Sequence, residues 1–236
     1  MKPSTVQALN AVNQRFYAAV ADDFDATRQR PWEGWQRLLD FLPAELAPLR
    51  VLDVACGNGR LGAFLGEQRT IVYRGLDSSP ALLAHARASA EAWPFPADFD
   101  ECDLVRDGLV PERGLVQSQP PDLIACFGFL HHVPSLTARL AFVGQMAALR
   151  PRLLAFSTWR FAEFDKFRQR FVPFPPEVAD DVEAGDYLLD WRRGALALRY
   201  CHCADDAEQV LLEQASGLTL LARYRADTYN VYSLLG

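Results

Sequence analysis

Lysine is nearly missing from this chain of 236 residues: only Lys2 and Lys166 occur. With 24 basic against 30 acidic side chains the formal net charge is −6. That excludes a global basic footprint for nucleic acid, and arginine carries almost all of the positive charge. Long apolar runs are missing as well. No stretch approaches the roughly 20 residues that a membrane-spanning helix needs, and no signal-peptide pattern is seen. A soluble, cytoplasmic protein without a membrane partner is therefore expected. The five cysteines, Cys56, Cys102, Cys126, Cys201 and Cys203, are an odd number, read as reduced thiols rather than a disulfide framework. Cys201-His202-Cys203 has no second ligand pair nearby, so no metal is expected. The phosphate-loop pattern Gly-x-x-x-x-Gly-Lys-Ser/Thr is absent.

What is present centres on Val51-Leu52-Asp53-Val54-Ala55-Cys56-Gly57-Asn58-Gly59-Arg60. An apolar run breaks at two glycines and resumes as Leu61, Phe64 and Leu65 at helical spacing, which predicts strand, tight turn and helix. Gly57 and Gly59 allow close backbone approach to a ligand, and a helix N-terminus offers free N–H groups. Asp53 adds a fixed negative charge. Amide donors beside a carboxylate suit a zwitterion.

The pattern repeats along the chain. Strands are expected at 50–54, 70–76, 99–104, 122–127 and 151–158, with helices at 59–67, 80–92 and 135–149. Such alternation implies an α/β fold with a mostly parallel sheet and helices on both faces. Asp53, Asp77, Asp103 and the segment Phe127–His132 all fall at the carboxyl ends of strands, where ligands bind such sheets. Asp77 suits two ribose hydroxyls, Ser78 follows it, and Asp103-Leu104 suits an exocyclic amine and an adenine face. Before this core, helices are expected at 4–22 and from Pro31, forming a leader or cap over 1–49. After it, an amphipathic helix over 160–171 and a hairpin of 186–191 with 195–202 make 159–203 a cap insertion. A last helix to Ala215 and an antiparallel hairpin, 218–224 with 229–235, complete the core over 204–236.

With these residues the chain resembles the class I S-adenosylmethionine-dependent methyltransferases. The resemblance rests on Asp53-x-Ala55-x-Gly57-x-Gly59, on Asp77, on Asp103-Leu104 and on the terminal hairpin. It implies the Rossmann-like seven-stranded methyltransferase fold, S-adenosyl-L-methionine as cofactor, and Asp53, Ala55, Gly57, Gly59, Asp77, Ser78, Asp103, Leu104 and Phe127 as its contacts. A narrower likeness reaches outside the core. Phe24-x-x-Thr27-Arg28-x-x-Pro31-Trp32, Leu130-His131-His132-x-x-Ser135 with Arg139, Gly185-Asp186-Tyr187-Leu188-x-x-Trp191 and Arg199-Tyr200-x-His202 look like segments of the eukaryotic tRNA wobble-uridine carboxymethyl methyltransferases. That implies esterification of a carboxymethyl group, tRNA as partner, and a small zinc-binding activator protein. An acidic chain and Cys201 in place of the usual aromatic depart from that family.

The alternative is a methyltransferase for a small carboxylic acid or another metabolite. A non-enzymatic cofactor-binding protein and an NAD-linked dehydrogenase are two further readings. For a carboxylate acceptor, already ionised at neutral pH, no strong base is required. Arg28, Arg199, Tyr200 and His202 are the expected cationic or donor groups of the cap cleft. His131 and His132 are placed near the methyl, one of them a general base were the acceptor a hydroxyl or amine.

Overall fold

The architecture follows from strands buried on both faces. The structure is a computed structural model that describes residues 1–43, 47–109, 119–193 and 195–236, and of 192, 193, 195 and 196 the backbone alone. Its strands are β1 (Leu49–Val54), β2 (Ile71–Asp77), β3 (Ala97–Glu101), β4 (Leu123–Cys126), β5 (Leu153–Trp159), β6 (Phe171–Val172), β7 (Asp186–Arg193), β8 (Ala195–His202), β9 (Leu220–Ala226) and β10 (Asn230–Leu235). Its helices are α1 (Pro3–Ala26), α2 (Gly34–Leu38), α3 (Arg60–Gln68), α4 (Pro80–Ala90), α5 (Leu104–Asp107), α6 (Leu136–Ala148), α7 (Asp165–Arg168), α8 (Pro176–Ala179) and α9 (Asp206–Ala215). Among the described residues no helix is long and apolar enough to cross a membrane.

The large sheet runs β3-β2-β1-β4-β5-β10-β9, with seven strands. β1 pairs parallel with both β2 and β4, and β10 enters antiparallel between β5 and β9. In β1, Leu52 and Val54 pack with Phe142 and Val143 of α6 and Leu212 of α9. Leu49 and Val51 pack on the opposite face with Trp35, Leu38, Phe64 and Leu65. A strand covered on both sides must be apolar throughout, which is why β1 and β4 read as uninterrupted runs. The chain leaves β1 toward one half of the sheet and re-enters at β4 toward the other. That reversal opens a crevice at their carboxyl ends. At the opposite ends, Arg50 N–H and Asp122 N–H donate to Asp122 Oδ2 and Arg50 O, both at 2.9 Å, holding the two strands in register.

The cap is a second sheet, β6-β7-β8, all antiparallel. α1 lies along it: Leu9 packs with Leu188 and Tyr200, and Phe16 and Val20 with Trp191. Three expectations are corrected here. The helix expected over 160–171 is one 3-10 turn, Phe161–Glu163, the short α7, and the strand β6. Its phenylalanines at 161, 164, 167 and 171 mimic helical spacing, but Phe171 stacks on Tyr187 at 4.1 Å and this pairing takes the segment into the sheet. The third strand ends at Glu101, and Asp103 instead caps α5 by accepting from Arg106 N–H at 3.1 Å. Finally, α1 runs on to Ala26, where Thr27 closes it. The turn residue Gly194 lies outside the described residues.

Gly34 tests how tightly α2 packs on the sheet. A Cβ there would collide with the ring of Tyr232, which is fully buried, and Tyr224 O–H already donates to Gly34 O at 2.7 Å. Gly34→Ala should lower stability by about 1–3 kcal/mol, the usual cost of overpacking, read as the urea midpoint; an unmoved midpoint would show that the ring gives way.

Candidate functional site

A cavity of about 680 Å³ occupies the crevice at the end of β1, with the cap sheet and α1 above it. Its floor is built by the turn after β1. Ala55 (φ 62°), Gly57 (φ 56°) and Gly59 (φ 76°) all take left-handed backbone conformations. A Cβ on Gly57 would meet nothing within 4 Å, because that α-carbon faces the open cavity. Gly59 is different, and its expected place in the site is corrected. It does not line the cavity, and its Cβ position lies 3.2 Å from Ala86 and from the Trp93 ring. Its smallness lets α3 start close against its neighbours.

Asp77 organises the floor. Its Oδ2 accepts from Gly57 N–H at 2.8 Å and its Oδ1 from Ser79 N–H at 2.9 Å. Each oxygen keeps a lone pair for a ligand hydroxyl. Burial raises its pKa, against the pull of the Ser79 and Gly57 amides. Asp53 is 3% exposed and accepts from the Tyr73 hydroxyl at 2.6 Å. Burial pushes its carboxyl up to about 7, the Tyr73 bond opposing and the charge of Asp77 adding. Ala55, Ser78, Leu104 and Phe127 line the same cavity.

The roof above this floor is α1. Asn10 Nδ2 donates to both oxygens of Asp103, at 3.1 and 3.0 Å, and Gln14 Nε2 to Oδ2 at 2.7 Å. Asn58 Nδ2 donates to Asp25 Oδ1 at 2.8 Å. The sequence reading missed this. The apolar stripe Leu9, Val12 and Phe16 is flanked by a polar one, Asn10, Asn13, Gln14 and Tyr17, at the same helical spacing. That second stripe was the available signal.

The far end of the cavity is aromatic and cationic. Arg199 Cζ lies 4.9, 5.3 and 6.0 Å from the rings of Trp159, Phe16 and Trp191. Its Nε is buried and unpartnered, and among the described residues no carboxylate forms a salt bridge with it. His131 and His132 stand beside it, rings 4.1 Å apart, with His131 also 5.1 Å from Trp159. His132 Nδ1 lies 2.9 Å from Tyr200 O and 3.2 Å from Asn13 Nδ2, and Nε2 lies 2.9 Å from the Tyr17 hydroxyl. Burial and then the charge of Arg199 lower the pKa of His132 to about 3. Burial, then His132 and Arg199, hold His131 well below the usual histidine range, and its Nδ1 has no partner. His131, His132 and Cys201 bring ligand-type atoms within 4.8 Å of one another, but both nitrogens of His132 are engaged in these hydrogen bonds.

Two expected site residues are not there. Tyr200 and His202 do not line the cavity. Alternation along β8 turns them to the other face, where both bond to Asp186 Oδ1 at 2.7 Å. Arg28 does line the cavity, with Cζ 3.8 Å from the Phe24 ring and Nη1 donating to Thr27 Oγ1 at 2.9 Å.

Comparison with known proteins fits this geometry. A family model described as "Methyltransferase domain" matches residues 24–221. The "Ubiquinone biosynthesis O-methyltransferase" of Pasteurella multocida (strain Pm70) is 33% identical over 115 residues, 46% of this chain and 46% of that protein. The protein of the same name from Xanthomonas axonopodis pv. citri (strain 306) is 31% identical over 144 residues, 55% of this chain and 56% of its own. The chain thus spans about half the length of the curated relatives it matches. Among solved structures, the DhpI–SAM–HEP complex superposes over 100% of both chains with TM-score 0.65 at 19% identity. Magnesium protoporphyrin IX methyltransferase from Synechocystis PCC 6803 with bound SAH covers 93% of this chain and 84% of its own, with TM-score 0.55 at 18% identity. At these identities the likeness is one of fold.

Asp53 gives the ligand-free protein a pH signature. Its carboxyl is raised to about 7 in the fold and returns to near 4 when unfolded. The folded state thus binds the proton more tightly, and stability is lost as pH rises between these values. Asp53→Asn should match wild type near pH 4 and exceed it by roughly 2–4 kcal/mol near pH 8. Urea unfolding at both pH values checks this; a difference that does not grow with pH would refute the shift.

Proposed function

Because the chain belongs to the family of methyltransferase domains, we propose that it transfers a methyl group to an acceptor oxygen that is already anionic, a carboxylate held by Arg199. It is an S-adenosylmethionine-dependent enzyme, and the cavity residues suit that cofactor. The open α-carbon of Gly57 leaves room for a ligand against the backbone. Asp77 offers acceptors to ribose hydroxyls, Asp53 a charge to an ammonium, and Leu104 and Phe127 apolar cover. When bound, the cofactor supplies an electrophilic methyl carbon on a sulfonium.

The observation that carries the acceptor is Arg199. A guanidinium packed among three aromatic rings, with a buried Nε unpartnered, bears a desolvation cost that a bound carboxylate relieves. Its planar fork also orients a carboxylate. The neighbouring histidines resist protonation, so they are weak bases. An acceptor that must lose a proton finds little help from them, whereas a carboxylate needs none. Alignment of the nucleophile then supplies most of the rate.

The names of the relatives favour a second reading, a phenolic hydroxyl, with the unpartnered Nδ1 of His131 as base. The likeness to tRNA wobble-uridine enzymes is not carried further. Nothing among these relatives points to RNA or to an activator protein, and two residues that suggested it, Tyr200 and His202, are turned away from the cavity.

Labelled cofactor incubated with fractionated cell extract separates the two readings. A methyl ester releases its label as volatile methanol in mild alkali; label retained as an ether would overturn the carboxylate reading. At saturating cofactor, kcat should stay flat from about pH 6 to about pH 9 for a carboxylate, and climb for a phenol. Asp77→Ala should weaken S-adenosylhomocysteine binding by about 1.5–3 kcal/mol in calorimetry, and unchanged affinity would remove Asp77 from the cofactor site. Arg199→Met should cut kcat/KM by roughly 100-fold, about 3 kcal/mol of charge-assisted bonding, with cofactor affinity and melting temperature held; a collapse of melting temperature would make Arg199 structural.

A further inference from the structure

Charge is unevenly distributed over the cavity lining: outside residues 159–203 it mixes Arg28, Arg30 and Arg60 with carboxylates, whereas 159–203 contributes cations alone. Every acidic side chain lining the cavity, from Glu33 through Asp53, Asp77 and Asp103 to Asp227, comes from outside residues 159–203. The charged residues that 159–203 contributes to the lining are all basic: Lys166, Arg170 and Arg199. Among the described residues, none of these three forms a salt bridge. Yet 159–203 is rich in carboxylates, which point elsewhere: Glu163 to Arg225, Asp165 to Arg168, Asp186 to His202.

An aromatic wall joins the cations. Arg199 Cζ lies 4.9 Å from the Trp159 ring, and the Trp159 and Phe167 rings are 5.0 Å apart at 80°. Lys166 Nζ lies 5.1 Å from the Phe167 ring and 4.2 Å from that of Tyr229. One end of this wall is the half-buried Arg199; the other is exposed Lys166 with half-buried Arg170 at the mouth. Both ends are cationic, and the surface between them is apolar.

We propose that the acceptor is a small dianion, a reading that rests on the carboxylate assignment above. Its reacting carboxylate sits on Arg199 and its apolar body lies along Trp159 and Phe167. A second anionic group, carboxylate or phosphate, meets Lys166 and Arg170. Two cations at a solvent-facing mouth add modestly to affinity, because water screens them, and they also draw an anion inward.

The test uses the full chain saturated with S-adenosylhomocysteine and four probes in calorimetry: benzoate, terephthalate, biphenylcarboxylate and para,para-biphenyldicarboxylate. The better dicarboxylate should bind about ten-fold tighter than its monocarboxylate at low salt, with the advantage shrinking as salt rises. Lys166→Met combined with Arg170→Met should bring the dicarboxylate down to the monocarboxylate value. Arg199→Met should weaken both classes. Equal affinity of the two classes, or an advantage that survives the double variant, overturns the dianion. Failure of all four probes to bind, or monocarboxylate binding indifferent to Arg199→Met, overturns the carboxylate reading beneath it. Replacing the distal carboxylate by a phosphonate then tells which second group is preferred.

Discussion

The bond on which the site depends runs from Gly57 N–H to the carboxylate of Asp77. It ties the turn after β1 to the end of β2, two segments brought together by parallel pairing of those strands. A second amide, Ser79 N–H, shares the same carboxylate. These contacts offset part of the burial effect, which still raises the Asp77 pKa. They also hold the left-handed turn through Ala55 and Gly57 in one shape. The cradle thus takes its shape from bonds within the protein itself, and fixed geometry is what positional catalysis draws on.

A second buried network sets where the cap stands. Arg139 of α6 is 1% exposed and pairs with Glu208 of α9 at 2.6 Å and with Glu183 at 3.0 Å. His202 bridges Asp186 and Glu208, at 2.7 and 2.8 Å. Burial alone would lower the His202 pKa, but these two carboxylates outweigh it and raise it. Glu208 is brought down to about 2 by His202 and Arg139, against burial. Breaking one partner would leave an uncompensated buried charge, so the network holds together as a unit. Its role in the cleft is indirect. With Tyr200 and His202 drawn to this side, strand alternation leaves Arg199 on the other.

Much of the fold was legible because periodicity and turn chemistry are local. Strand ends at Asp53 and Asp77, the break at Gly57 and the terminal hairpin all follow from neighbouring residues. Phe161, Phe164, Phe167 and Phe171 misled for the same reason: their spacing satisfies a helix, and only Tyr187, distant in sequence, makes the extended form better. Asp103 was found at the right place but not with its partners, since Asn10 and Gln14 arrive from the far end of the chain.

The sequence by itself determined the cavity floor, since amide donors, small residues and strand-end carboxylates sit within short stretches whose geometry is set by backbone rules. It also determined that Arg199 and Cys201 share a face opposite Tyr200 and His202, from the two-residue period of a strand. Which face meets the cavity was decided only in three dimensions. It depended on where the partners of each face lie: Arg139, Glu208 and Asp186 on one side, and Phe16, Trp159 and Trp191 on the other. Buried charges must find counter-charges, so the carboxylates captured Tyr200 and His202. Arg199 is left with aromatic neighbours and, among the described residues, without a salt bridge.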